Sequence, residues 1–219
     1  MNMPLNTLIK RMLHDASVSV QHMPKCPQLP LWLVDPAAMQ RPFDMDEIRA
    51  IWENTAYWAF CWASGQVLAR AILDNPQWVA GKKVLDFGAG SGVVGIAAAL
   101  AGAKQVVACD IDQDALLACR ENAALNGVTL DYSDDLFKLP KQDFDLLIAA
   151  DVLYDRSNLS FLDVFFDYAP EVLLADSRIK NFSHSAYQHH SRVESFTVPD
   201  LDELDEFRFV NLYWGRQVK

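Results

Sequence analysis

Hydrophobic and polar positions follow two regimes along the chain, and the change of period falls near Gly81. Upstream, from Asp44 to Leu73, apolar residues recur at spacings of three and four: Ile48, Ile51 and Trp52, then Trp58, Trp62, Leu68 and Ile72. That spacing predicts helix, with Gly65 as an expected break and Asn75-Pro76 as its end. Residues 20–44 carry Pro24, Pro27, Pro30, Pro36 and Pro42. Proline fixes φ and removes an N–H donor, so this stretch is expected to be an extended, irregular lead-in. Downstream, short apolar runs alternate with helical ones. Lys83–Phe87 and Gln105–Asp110 read as strands, followed by helices over Val93–Ala101 and Asp112–Asn126, the second stopped at Asn126-Gly127. Val128–Tyr132, Phe144–Ala150 and Val172–Ala175 add strands, the last two separated by a helix-like stretch over 157–168. Alternation of this kind predicts βαβ units in a parallel sheet, and the runs LLIAA and VVAC suit strands buried on both faces. Arg192–Val198 and Phe207–Trp214 alternate residue by residue and predict an antiparallel C-terminal hairpin with a short connection at one sheet edge. The expected organisation is an N-terminal extension over residues 1–79 and an α/β, Rossmann-like domain over 80–219.

Composition narrows the classes. The chain has 219 residues, 51% of them hydrophobic and 22% charged, enough to bury one core with an extension and enough to exclude intrinsic disorder. Lys plus Arg (19) against Asp plus Glu (29) leaves −10. Sequence-independent nucleic-acid binding and anionic membrane surfaces both require basic residues in surplus, so neither is expected; a basic or lysine-bearing partner is. Asp200, Asp202, Glu203, Asp205 and Glu206 form an acidic run that is either a solvated loop or a dock for such a partner. Cys26, Cys61, Cys109 and Cys119 form no CxxC pair, and Cys109 and Cys119 read as small buried thiols. The N-terminus lacks a signal-peptide apolar region, and the longest nearly uncharged apolar stretch, Val93 to Ala103, is about half of a bilayer span. A cytoplasmic protein is expected.

The chemistry concentrates at strand ends. Asp86-Phe-Gly88-Ala-Gly90-Ser-Gly92 follows a strand and opens a helix, where glycines let a ligand approach the backbone. Asp110 ends the next strand, where a carboxylate can bind both ribose hydroxyls of an adenosine. Two readings fit. Gly90-x-Gly92-x-x-Gly95, with Asp110 about twenty residues on, matches the dinucleotide fingerprint, although Gly95 then falls well inside the helix. Alternatively, Asp86, Gly88, Gly90 and Gly92 resemble the Asp-x-Gly-x-Gly-x-Gly turn of the class I S-adenosylmethionine methyltransferases. That resemblance implies a seven-stranded, mostly parallel sheet closed by an antiparallel hairpin. It also implies that the turn holds the methionine end of S-adenosylmethionine and that Asp110, with Ile111 beside it, holds the ribose. Asp135-Leu136 stands where the family places a carboxylate on the adenine amino group; as a turn-former Asp135 needs no ligand, and Asp134 is an alternative. Trp62 corresponds to an aromatic residue of the lead-in that closes over the cofactor.

The fourth strand ends Ala149-Ala150-Asp151-Val-Leu-Tyr154-Asp155, which sets a carboxylate and a phenol on the same rim, with Ala150 beside the cofactor. An N-cap role for Asp151 is the plain alternative. A lysine nucleophile has an ordinary pKa near 10.4 and must shed a proton before it attacks a methyl group, so a carboxylate to hold the amine is useful. Asp-x-x-Tyr at this point resembles the seven-stranded protein-lysine methyltransferases called family 16. The likeness extends through Tyr57-Trp58-Ala59, Trp62, Gly65-Gln66, Leu68, Leu73-Asp74-Asn75-Pro76, Gly81-Lys82, Val84-Leu85-Asp86 and Asp110-Ile111-Asp112 to Asp151, Tyr154 and Asp155, with a later patch at Phe182-Ser183 and Gln188-His189-His190. It is strongest to the members that modify lysines of the beta subunit of electron-transfer flavoprotein, and implies that subunit, or a protein like it, as substrate. Two departures stand out. Relatives have Trp-Pro-Gly-Gly where this chain has Trp62-Ala-Ser-Gly65, and Gly-Asp-Pro-Gly-Arg where it has Ala175-Asp-Ser-Arg178. A small-molecule amine methyltransferase and a non-catalytic cofactor-binding module remain the alternatives. His189-His190 have no third ligand spaced to join them in a metal site and read as helix-surface or rim residues.

Overall fold

The structure, a computed structural model, describes residues 3–179 and 182–217. The lead-in comprises α1 (Met3–Ile9), a hairpin of β1 (Val18–Met23) and β2 (Cys26–Val34), α2 (Pro36–Met39), α3 (Met45–Glu53) and α4 (Ala63–Asp74). There follow β3 (Lys83–Phe87), α5 (Val93–Leu100), β4 (Gln105–Cys109), α6 (Gln113–Leu125), β5 (Asp131–Ser133) and β6 (Leu146–Ala150). The chain closes with α7 (Phe161–Val164), β7 (Glu171–Asp176), β8 (Tyr187–Glu194) and β9 (Phe209–Arg216). Among the described residues, seven strands form one sheet in the order β5-β4-β3-β6-β7-β9-β8, parallel from β5 to β7 and antiparallel at β9 and β8. The expected α/β architecture with its closing hairpin is what forms.

Strict alternation inside each strand explains why continuous apolar runs were needed. Val84, Val106, Ala108, Leu146, Ile148 and Leu173 face one layer, built by α4, α5, α6 and the β1–β2 hairpin. Leu85, Val107, Cys109, Leu147, Ala149 and Leu174 face the other, built from Leu136, Phe144, Leu162, Phe165 and Phe166. A strand read from both sides must be apolar at every position. The chain leaves β3 and β6 in opposite directions across the sheet, so their carboxyl ends flank the crevice in which ligands of open α/β sheets bind.

The lead-in departs from expectation. Residues 20–44 are not irregular: Pro27 and Pro30 lie on β2, with Pro30 opposite His22 in register. A two-stranded hairpin has free edges, and proline is tolerated where no ladder donor is required. The helical run breaks not at Gly65 but at 54–62, where the chain turns inward and buries Trp58, Ala59, Phe60 and Cys61. Trp58 and Phe60 pack with Leu5, Ile9, Met12 and Ala118. Gly65 sits inside α4, where a Cβ would stand 2.9 Å from Val93 Cγ1, so the glycine serves helix-to-helix approach. Asp44 caps α3 reciprocally with Glu47. The stretch 157–168 is a chain of 3-10 turns around the short α7, and the third strand is confined to residues 131–133. The first strand of the terminal hairpin starts at Tyr187 and ends at Glu194, so His189 and His190 are strand residues, not helix ones, and the connection that follows is long. Cys26, Cys61, Cys109 and Cys119 are buried free thiols. Among the described residues no helix is long and apolar enough to cross a membrane.

Asn122 of α6 ties the β1–β2 hairpin to the glycine turn. Its side chain is fully buried, accepts from Trp32 N–H of β2 at 2.6 Å and donates to Ser91 C=O of the glycine turn at 2.8 Å. Asn126 adds a bond to Pro30 C=O at 2.8 Å. Replacing Asn122 by Leu strands a donor and an acceptor away from water. Asn122→Leu is expected to lower unfolding stability by about 3 kcal/mol, read from the denaturant midpoint at constant slope.

Candidate active site

The turn between β3 and α5 is shaped by three left-handed glycines, Gly88, Gly90 and Gly92, with φ of 68°, 51° and 82°. They serve two purposes. A Cβ on Gly88 would meet Val152 Cγ1 at 2.6 Å and one on Gly92 would meet Cys119 Sγ at 2.5 Å, so these two let the protein close beneath the turn. A Cβ on Gly90 would find nothing nearer than Gly88 O at 3.9 Å, which leaves that backbone open to a ligand. Asp110 steadies the turn from the end of β4: Oδ2 accepts from Gly90 N–H at 2.9 Å and Oδ1 from Asp112 N–H at 3.0 Å. Each oxygen keeps a lone pair, which is what a vicinal ribose diol uses. Burial pushes its pKa up, against those two hydrogen bonds.

Asp86 stands elsewhere than its motif position suggests. It is 2% exposed and its Oδ2 accepts Gly95 N–H at 2.8 Å, one turn into α5. It therefore acts from beneath the turn, as the anchor of the helix. Asp135 turns Oδ1 to Phe137 N–H at 2.8 Å, a capping bond that leaves Oδ2 available. Leu136 is 3% exposed and belongs to the core, whereas its neighbour Phe137 is 68% exposed. The apolar face offered at this point is thus Phe137, which the sequence reading missed. Ile111 is 88% exposed beside Asp110, and Ala150 is half-buried at the end of β6.

Asp151 follows Ala150 with φ of 52°, a conformation rare outside glycine and tolerated by Asp. Its carboxylate is gripped from two sides. Oδ1 accepts from Ser64 Oγ at 2.6 Å, Ser177 Oγ at 3.0 Å and Ser177 N–H at 3.4 Å. Among the described residues Oδ2 accepts only from Ser64 N–H, at 3.0 Å, and retains an acceptor position. The N-cap alternative fails, because none of these donors belongs to the segment that follows Asp151. Ser64 comes from the first turn of α4 and Ser177 directly follows β7. Desolvation raises the pKa of Asp151, and the Ser64 and Ser177 hydrogen bonds pull it back.

Aromatic residues border this carboxylate. Tyr154, 61% exposed, stacks on Tyr57 with centroids 6.1 Å apart, and Tyr57 lies 6.0 Å from Trp62. Trp62 donates its indole N–H to Tyr57 C=O at 3.1 Å. Burial, followed by Tyr57 and Asp110, raises the Tyr154 pKa, so the phenol stays protonated at neutral pH. Arg178 lies over Trp62 (5.7 Å) and Phe207 (4.3 Å) and pairs with Glu203, which also accepts from Thr197 Oγ1. Reciprocal backbone bonds between Cys61 and Val198, at 2.8 and 2.9 Å, draw the β8–β9 connection onto the start of α4. Glu203 is therefore an inward-facing member of the acidic run, while Asp200, Asp202 and Asp205 face solvent. His189 and His190 are edge-strand residues whose rings contact Tyr213 and Trp78.

An open glycine backbone, a carboxylate with two spare acceptors and exposed Ile111 and Phe137 suit an adenosine sulfonium, and a second carboxylate, Asp151, follows the end of β6. The fold is that of the class I S-adenosylmethionine-dependent methyltransferases. The ribosomal protein L11 methyltransferase (PrmA) family matches residues 69–155. The human protein named electron transfer flavoprotein beta subunit lysine methyltransferase is 36% identical over 177 residues, which is 76% of this chain and 68% of that protein. Its rat counterpart is 34% identical over 157 residues, 68% of this chain and 62% of that protein. The chain belongs to this family of electron transfer flavoprotein beta subunit lysine methyltransferases, and its matches span about three-fifths to two-thirds of the mammalian relatives' length. Among solved structures, the ribosomal protein L11 methylase of Lactobacillus delbrueckii subsp. bulgaricus has a TM-score of 0.54 at 24% identity, covering 71% of this chain and 79% of its own. A Thermus thermophilus 16S rRNA methyltransferase (RsmC), bound to AdoMet and guanosine, has a TM-score of 0.57 at 14% identity, covering 93% and 51%. Both likenesses concern the fold.

Burial gives Asp86 a pKa of about 7 in the folded chain, far above an ordinary carboxylate. The unfolded chain therefore releases this proton first as pH rises, and the contribution to stability, complete below about pH 4, is lost as pH climbs through about 7. Asp86→Asn is expected to flatten that decline in a denaturant series from pH 4 to 8; an unchanged slope would show that Asp86 titrates like a surface carboxylate.

Proposed function

We propose that the protein methylates lysine side chains of a protein substrate, the beta subunit of electron transfer flavoprotein or a protein like it. The observation that carries this reading is Asp151, a carboxylate pinned by Ser64 and Ser177 with one acceptor position left on Oδ2, on the same rim as the glycine turn. When bound, S-adenosylmethionine supplies a methyl group on a cationic sulfur, which an amine takes by in-line displacement.

The chain supplies alignment. Gly88 and Gly92 shape the turn so that the backbone at Gly90 faces the methionine end, Asp110 takes the ribose hydroxyls, and Ile111, Phe137 and the free oxygen of Asp135 border the adenine. Asp86 holds the turn against α5, and Leu136 and Ala150 support the floor. Trp62, fixed by Tyr57 and Arg178, forms the wall between cofactor and acceptor. Tyr57 and Tyr154 offer ring faces to a lysine stem and its cationic end. Asp151 Oδ2 accepts a hydrogen bond from the acceptor nitrogen and orients its lone pair. Both tyrosines are at least half exposed, so the acceptor side is an open rim that suits a side chain on a protein surface better than an enclosed small molecule. The exposed acids of the β8–β9 connection suit a basic partner. Buried free thiols fit a reducing compartment such as the cytoplasm.

Asp151→Asn is expected to leave S-adenosylmethionine affinity unchanged by calorimetry while turnover falls by about 100-fold or more. Asp110→Ala is expected to weaken cofactor binding by about tenfold or more with the fold intact. Incubation of a lysate with labelled methyl donor and this protein should label protein lysines; label confined to small molecules would refute the substrate class.

A further inference from the structure

A second carboxylate stands directly behind Asp151. Ala150 and Ala175 are paired across β6 and β7, so the next residues, Asp151 and Asp176, emerge side by side at the carboxyl edge of the sheet. Asp176 is 2% exposed. Its Oδ1 accepts from Arg178 N–H and Ile179 N–H, both at 2.7 Å, which folds the chain into a turn that aims Ser177 at Asp151. Its Oδ2 is buried and, among the described residues, meets no partner at full hydrogen-bond geometry. An unpartnered oxygen on a buried carboxylate is costly, and structural needs alone would be met by an Asn or Ser capping the same turn.

We propose that Asp176 is a positioning residue for Asp151: a buried carboxylate whose negative charge and turn keep Asp151 ready to take the proton that the acceptor amine sheds. The inference rests on the reading that Asp151 meets the acceptor. The step is a transfer from R–NH3+ to the Asp151 carboxylate, giving R–NH2 with a free lone pair and a carboxylic acid. A lone carboxylate is a poor recipient, because its proton affinity is far below that of an amine. A like charge beside it raises that affinity, and the two sites then titrate as a pair. Burial and the charge of Asp151 bring Asp176 up to about 6.

The other groups around the pair set the limits of this effect. From the same turn, Arg178 lowers the Asp151 pKa, but its guanidinium is engaged by Glu203. The Leu153 N–H, after β6, also stabilises the Asp176 anion. From β9, Tyr213 has its phenol pKa raised by burial and by Asp176 and stays neutral. Ser64, on α4, and Ser177 stabilise the ionised Asp151. Burial is the main influence that works in the opposite direction, and the charge of Asp176, which is coupled to that of Asp151, adds to it.

Two substitutions move the pair in opposite senses. Asp176→Asn keeps the turn's acceptor oxygen and removes the charge, so the acid limb of the kcat–pH profile should move down by about one pH unit. Ser177→Ala removes a donor from ionised Asp151, so the limb should move up. A purely structural role would lower thermal stability in both variants and leave the limb in place, which would overturn the proposal. Carboxyl-carbon NMR titration of the ligand-free protein reads the same pair without turnover: Asp151 should titrate at lower pH in Asp176→Asn than in wild type, and an unmoved Asp151 would also overturn it. Asp151→Asn separates the two levels. If that variant retains turnover and limb, the role of Asp151 itself fails; if it loses them while Asp176→Asn changes nothing, only the present inference fails.

Discussion

The hydrogen bonds from Ser64 to Asp151 hold together the half of the protein that does not come from the sheet and the half that does. Ser64 opens α4, the helix that the lead-in contributes, and Asp151 ends β6. One carboxylate therefore fixes where Tyr57 and Trp62 stand relative to the strand ends. Charge-assisted bonds are about twice as strong as neutral ones, and here both donors of a single serine serve one acceptor. The left-handed backbone at Asp151 is tolerable because this grip and the one from Ser177 over-determine it.

The rest of the lead-in is arranged so that this contact is made. Its apolar residues divide between two clusters: Leu29, Leu31 and Leu33 of the hairpin share one with α4, α5 and one face of the sheet, while Leu5, Ile9, Met12, Trp58 and Phe60 form a second against Ala115 and Ala118 of α6. Asn122 then couples β2 to the glycine turn, so the cofactor side and the lead-in share a buried polar link. On the opposite side, the β8–β9 connection is brought down by the Cys61–Val198 bridge and by Arg178 with Glu203. Three separate segments of chain thus converge on the end of β6, which is where the acceptor has to arrive.

What was legible in the sequence follows from what is periodic. Strands β3, β4, β6 and β7 are buried on both faces, so their composition announces them, and the chemistry at their carboxyl ends followed from position: Gly88, Gly90, Gly92, Asp110 and Asp151. The β1–β2 hairpin was hidden because Pro27 and Pro30 argue against a strand unless one knows that it has free edges. The break at 54–62 was hidden because Trp58 could sit on a helix face as well as in a pocket. Ser64, Ser177 and Asp176 were out of reach for a different reason. Nothing in a serine predicts which carboxylate it will bind, and Ser64 and Ser177 become partners only when strands and lead-in are in place. Leu136 shows the residue-level limit of motif reading: the motif position is core, and the exposed face belongs to Phe137.

The surplus of acidic residues divides by burial. Asp86 and Asp176 sit beneath the surface and act on the turns that carry other residues, Asp110 and Asp151 keep spare acceptors, and Glu203 is spent on Arg178. The central claim is that Asp151 meets the acceptor nitrogen. Its most direct test is a crystal structure of the protein with S-adenosylhomocysteine and a lysine peptide of the substrate. The lysine Nζ is expected within about 3 Å of Asp151 Oδ2, in line with the sulfur, with both serine contacts preserved. A lysine seated in line with the sulfur but out of hydrogen-bond reach of Asp151 would contradict the account.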